Sequence, residues 1–165
     1  MIDEDEHITN VFWSDHAMQS DYAIFRDFVS FDTTYRTNNE NRPLGAFLGV
    51  NHHRKSVIFG ACLLFDKMAQ TFIWLFQTFV ECMNGKAPIS LFTDQDSGML
   101  AVIPSALPAT HHFLCAWHIS QNAMKNLGSL LANKDFKRDW NDLLFDPEID
   151  DFEQSWSKMI DEHEL

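Results

Sequence analysis

The sequence predicts an α/β fold: a mixed sheet of three antiparallel strands and then α/β units, with helices packed on it and a helical segment at the C-terminal end. Three observations carry this. Phe28–Tyr35 and Ile89–Asp96 are short runs rich in aromatic and aliphatic residues that carry aspartates at their far ends, Asp32 in the first and Asp94 in the second. Two further apolar runs, Leu44–Val50 and Val57–Phe65, follow the first across short polar turns, which is the pattern of an antiparallel meander. From Thr71 the apolar period changes from strand-like to helical, and strands and helices alternate from there.

Taken in order, residues 1–20 open on the acids Asp3-Glu4-Asp5-Glu6 and reach Val11-Phe12-Trp13, a short strand or docking segment. Residues 21–27, with Tyr22, Ile24 and Phe25, suit a short turn of helix. Phe28–Tyr35 reads as a buried strand. The loop from Arg36 to Arg42 holds Asn38, Asn39 and Asn41, and Pro43 precedes the second strand. His52-His53-Arg54-Lys55 turns the chain into the third. Phe72, Leu75, Phe76, Phe79, Val80 and Met83 then recur as one helical face, with Thr71 as N-cap and Gly85 and Pro88 as the stop. This aromatic stripe is read as core rather than as a cofactor box. A strand from Ile89, a helix over 97–106 containing Pro104, a strand at His112–Cys115 and a helix over 118–131 follow. Two more helices are predicted, around Phe136–Leu144 and Ile149–Ile160. The organisation is therefore a lead-in over 1–27, an α/β domain over 28–131, and a helical segment over 132–165.

The 165 residues suffice for one real core. Fifteen Phe and five Trp predict an aromatic-rich interior or partner surface. The net charge of -12 opposes a nucleic-acid grip by this segment itself, because phosphate binding needs a basic surface. Three cysteines, Cys62, Cys82 and Cys115, form no disulfide framework and fit a reducing compartment. No apolar run approaches the roughly twenty residues of a membrane span. The acidic start is unlike a signal peptide, and no Lys/Arg cluster marks a nuclear signal.

Two constellations carry chemistry. If the strands of Asp32 and Asp94 lie side by side in parallel, the two carboxylates meet at one sheet edge, where open α/β sheets place their sites. Paired carboxylates repel, and a hard cation such as Mg²⁺ or Mn²⁺ relieves that repulsion. Each aspartate taken singly is equally well explained as the cap of a turn or helix. Two-metal phosphodiester chemistry wants a third acid. The candidates are Asp96, Glu148, Asp150, Asp151 and Glu153, and spacing selects none; Asp96 more often starts the next helix. The second constellation is Cys115-Ala-Trp-His118, a spacing that zinc sites use. It supplies two ligands only, and the preferred reading is a buried Cys at a strand end with a His opening a helix. His111 or His112 could join such a site only if the strand bends, since neighbours in a strand face opposite sides. A Cys115–His118 catalytic dyad lacks an orienting third group.

Asn10-Val-Phe-Trp13, Phe31-Asp-Thr-Thr-Tyr-Arg-Thr-Asn38, Gly49-Val-Asn-His-His53, Thr71-Phe-Ile-Trp-Leu-Phe76, Thr93-Asp-Gln-Asp96 and Cys115-Ala-Trp-His-Ile119 occur in this order. Together they resemble the plant FAR-RED IMPAIRED RESPONSE-related proteins, which derive from Mutator-like transposases carrying a MULE transposase domain. The resemblance implies a ribonuclease H-like fold. It implies that Asp32 and Asp94 are the first two acids of an ancestral Asp-Asp-Glu metal triad, and that Cys115 and His118 are the family's Cys-x-x-His signature, a potential zinc pair. The Glu is not identifiable, and the chain is expected to end within the helical insertion that precedes it, as a truncated member or gene-model fragment. The resemblance further implies a nuclear transcription regulator in light signalling, without catalysis, with family proteins (as homo- or heterodimers) and transcription regulators as partners. DNA would be met only through a zinc-finger domain outside these residues. The alternative is a Mg²⁺- or Mn²⁺-dependent transposase or nuclease core using Asp32 and Asp94. A third reading is a remnant that exposes apolar surface.

Overall fold

A computed structural model of the chain describes residues 1–2, 4–34, 38–145 and 151–165. The chain divides into two compact units, Met1–Cys115 and Ala116–Leu165.

The first unit is a six-stranded mixed sheet with three helices. In chain order it runs β1 (Val11–Trp13), α1 (His16–Phe25), β2 (Phe28–Thr34), β3 (Leu44–Val50), β4 (Ser56–Leu63), α2 (Ala69–Cys82), β5 (Ser90–Thr93), α3 (Ser97–Ala106) and β6 (His111–Leu114). The strands lie in the order β1-β4-β3-β2-β5-β6. β2, β3 and β4 form the expected antiparallel meander, and β5 and β6 continue from β2 in parallel. Val11-Phe12-Trp13 is a strand, paired antiparallel with β4.

Alternation decides which face is covered. Val29 and Phe31 of β2, Phe47 of β3 and Leu91 of β5 point to one side and are fully buried. There they meet the helices. Phe47 stacks on Phe79 of α2 with ring centroids 3.9 Å apart, and Tyr22 of α1 packs edge-on against both Phe59 and Phe79 at 5.2 Å. The α2 stripe is thus core, as its period predicts: Phe72, Leu75, Phe76 and Phe79 are all fully buried. The ladder between β3 and β4 skips Phe59, a bulge that adds one aromatic to the core side. Ser14 Oγ donates to the Phe59 carbonyl at 2.7 Å.

Several local expectations are corrected. Helix α1 begins at His16, before residue 21, because Asp15 caps it by accepting from Met18 N. Thr71 does not cap α2: it lies within the helix and its hydroxyl donates to Asp66, which also accepts from Met68 N. Asp66 therefore organises that entry. Phe28 is not buried with its neighbours; it points to the opposite face and is 39% exposed. α2 stops before Gly85: Asn84 is the first residue with left-handed φ, at 56°, and Gly85 follows at 75° and donates its N–H to the Val80 carbonyl. Tyr35, Arg36 and Thr37 lie outside the described residues.

The second unit consists of α4 (Ala116–Asn126), α5 (Gly128–Leu131), α6 (Lys134–Phe145) and α7 (Phe152–Glu162). The single helix expected over 118–131 is interrupted at Leu127, whose φ of -116° and ψ of 23° are not helical. Gly128 follows it, and glycine weakens helix continuation. Phe136, Leu143 and Met159 form this unit's own small core, with Leu130, Leu131, Trp140 and Ile160 against it.

Candidate functional site

β2 and β5 run in parallel with Phe28 opposite Ser90, Val29 opposite Leu91 and Ser30 opposite Phe92. Carried on in step, this register sets Asp32 beside Asp94 at the carboxyl ends of two neighbouring strands. Adjacent strands lie about 4.8 Å apart. By alternation both aspartates share the face of Ser30 and Phe92, the one opposite the covered core. Both are half-buried. The two acids singled out by sequence thus follow the paired stretches of two neighbouring parallel strands at their carboxyl ends.

Each carboxylate is also held by backbone. Asp32 Oδ1 accepts from Thr33 N at 2.7 Å, and Asp94 Oδ1 accepts from Asp96 N at 3.1 Å. Asp96 has a different task. Its Oδ1 accepts from Gly98 N and Met99 N, capping α3, and its Oδ2 lies 3.4 Å from Lys67 Nζ. That pairing is about four-fifths buried on both sides, so Asp96 is tied to a cation and a helix end. Asp151 likewise caps α7, accepting from Gln154 N, and Glu153 lies in the first turn of that helix. Glu148 and Asp150 lie outside the described residues.

The donor set of Asp32 and Asp94 fits a hard divalent cation as two oxygen ligands facing one way. Among the described residues, no group of three or more His, Cys, Asp and Glu side chains is placed to hold a metal ion. For zinc, the chemistry stays at two ligands. Cys115 follows β6 directly and closes the first unit, and His118 lies in the first turn of α4 in the second. His112 has another partner. It faces the covered side of β6, and its Nε2 lies 2.9 Å from the hydroxyl of Thr93, which is 1% exposed. Thr93 Oγ1 also lies 3.0 Å from the Asp94 carbonyl, to which it donates. Burial holds His112 below the usual histidine range, favouring its neutral form. This His112–Thr93–Asp94 chain was invisible in the sequence, because its members come from two strands. The motif Thr93-Asp94 named only its end.

The face of Ser30 and Phe92 also carries a row of aromatic rings. Phe28 lies 4.7 Å from Phe92, and Phe92 5.1 Å from Phe113, a row of rings across β2, β5 and β6. Phe113 is 48% exposed.

Residues 28–122 match the MULE transposase domain. Across 99% of its length the chain is 36% identical to Protein FAR-RED IMPAIRED RESPONSE 1 of Arabidopsis thaliana, covering 20% of that protein. It is 35% identical to Protein FAR1-RELATED SEQUENCE 5 of the same plant over 98% of the chain and 21% of the relative. Protein FAR1-RELATED SEQUENCE 4 matches at 36% over 98% and 22%. The chain thus spans about a fifth of the length of these relatives. Among the described residues no helix is long and apolar enough to cross a membrane.

Proposed function

The chain belongs to the MULE transposase domain family, and on that footing we propose that it is a transposase-derived regulatory domain that works through protein contacts in the nucleus and not by cutting DNA. The proposed fold is ribonuclease H-like. An antiparallel meander on one side of β2 and parallel α/β units on the other support that assignment. The observation that carries the non-catalytic reading is the commitment of Asp96. It is the acid nearest the Asp32–Asp94 pair in sequence, and it caps α3 and pairs with Lys67 instead of joining them. The net charge of -12 supports the same reading, since an acidic segment repels a phosphate backbone. Family proteins and transcription regulators are the proposed partners, and DNA is met elsewhere in the protein. The name FAR-RED IMPAIRED RESPONSE 1 supports a role in far-red light signalling.

The test joins two measurements. Purified chain is incubated with supercoiled DNA in Mg²⁺ or Mn²⁺, and the chain tethered to a heterologous DNA-binding domain is assayed on a reporter in plant cells. The expected result is no nicking, together with a reporter change that survives the Asp32→Asn, Asp94→Asn double substitution. Metal-dependent nicking that Asp32→Asn abolishes would overturn the reading.

The second reading is a metal-dependent transposase or nuclease core, favoured by the shared strand-end position of Asp32 and Asp94. In it those two carboxylates would hold the cation, which would neutralise charge on a phosphodiester. A calorimetric Mn²⁺ titration decides whether the pair binds metal at all: heat lost in the double Asn variant supports it, and identical traces remove it.

A further inference from the structure

β6 ends the sheet on one side, and among the described residues β5 is the one strand paired with it. The bonds it makes show which of its backbone groups are left over. His111 N donates to the Ile89 carbonyl at 2.9 Å, and Cys115 N donates to the Thr93 carbonyl at 2.7 Å. Alternate residues of a strand bond to the same neighbour, so His111, Phe113 and Cys115 serve β5. His112 and Leu114 turn their N–H and C=O to the outer side. A row of this kind is a template for another strand. Natural edges are commonly guarded by charged side chains or proline. β6 carries neither, and it lies in the longest uncharged run of the chain, Ser97 to Met124.

Two observations say which strand fits. The first is charge. At a net charge of -12, two copies of this chain repel unless they meet on an uncharged surface, and β6 is one. The second is symmetry. Phe113 is the last ring of the aromatic row, stacked on Phe92 and half-exposed at the edge. His112 and Leu114 flank it evenly. Antiparallel pairing of β6 with itself about Phe113 sets His112 opposite Leu114 of the partner subunit, and both have their N–H and C=O turned outward to exchange. A shift of one residue would set outward groups against inward ones. In the matched register Phe113 faces Phe113 of the partner subunit at the position without hydrogen bonds, where side chains approach most closely. The aromatic row then runs on into the second sheet.

We propose that β6 is a self-association edge, which pairs antiparallel with β6 of a second copy of this chain to join two sheets. The pairing uses the same edge on both copies, so it closes at two. It gives the protein contacts of the regulatory reading one defined surface, and it rests on that reading only for their purpose. The whole edge lies within the first unit.

The test is sedimentation of the full chain in EDTA, without DNA, from about 1 μM to 1 mM. The expected result is a reversible monomer–dimer equilibrium that tightens as salt screens the acidic copies from each other. Phe113→Glu places like charges face to face and should weaken it at least about tenfold; so should Phe113→Lys. An equimolar mixture of these two variants should recover the dimer, because position 113 faces itself in this register and in no neighbouring one. Leu114→Pro removes an N–H that the chain's own ladder does not use, and should also abolish pairing. Hydrogen exchange of the unmodified chain needs no variant: residues 111–115 should gain protection as concentration rises. A chain that stays monomeric overturns the proposal and leaves the nicking and reporter outcomes untouched. Open-ended aggregation, a dimer indifferent to these substitutions, a mixture no better than its components, or protection independent of concentration would overturn it equally.

Discussion

Gly49 offers the sharpest test of the packing that holds the acid-bearing strand. It lies in β3, between β4 and β2. A Cβ added there would lie 2.2 Å from Cζ of Phe59 and 3.2 Å from the Phe28 carbonyl oxygen. Ordinary contact begins near 3.4 Å, so the overlap exceeds an ångström. The Phe59 ring cannot swing away, because it is fully buried with Tyr22 edge-on against it. Overpacking of this kind costs about 1–3 kcal/mol, and this overlap belongs at the upper end. Replacing glycine returns about 0.4–1 kcal/mol through the unfolded chain. Gly49→Ala should therefore destabilise by about 2 kcal/mol, lowering Tm by roughly 4–8 °C in a chain of this size. Because the added methyl also presses on β2 at Phe28, the strand that delivers Asp32 shares the strain. The assay is urea unfolding by circular dichroism for Gly49→Ala, Phe59→Leu and the double variant. Phe59→Leu alone should cost about 1–2 kcal/mol from the vacated space. The double variant should be little worse than Phe59→Leu alone, a coupling of about 1–2 kcal/mol. Strict additivity, or a neutral Gly49→Ala, would refute the reasoning.

Other consequences can be checked alongside. Burial keeps His112 neutral in the fold, so in the window below its unfolded value of about 6.5 the unfolded chain binds more protons. Stability should fall as pH drops from 7 to 5, and fall less in His112→Gln; parallel profiles would contradict this. The Cys62 thiol is pushed up to about 12 by burial, so in native protein at pH 8 it should resist alkylation while the partly exposed Cys82 and Cys115 react; rapid labelling of Cys62, read by mass spectrometry, would count against the core placement. Asp96→Ala should cost about 1–2 kcal/mol in chemical denaturation, losing both the α3 cap and the Lys67 pair, whereas Asp96→Asn keeps the cap and should cost under about 1 kcal/mol. Equal losses would show that the cap contributes nothing.

Much of the framework is local and was legible in the residues. The recurrence of Phe72, Leu75, Phe76 and Phe79 specifies one apolar face of a helix, and α2 buries it. Leu44–Val50 and Ser97–Ala106 occupy the spans their patterns set. The aspartates at the ends of two apolar runs already located the candidate site, since a strand that stops on a carboxylate must present it at the sheet edge. Local pattern records which face is apolar, not what covers it. Only the tertiary arrangement put β1 beside β4, turned Phe28 outward beside Phe92, and tied Thr71 to Asp66. It alone laid the strand of Asp32 in parallel beside the strand that leads to Asp94, about sixty residues away, and joined Thr93 to His112. Those facts depend on register and on long-range hydrogen-bond partners. A side-chain period fixes alternation along one strand, but its phase against a distant strand is chosen only when the core closes.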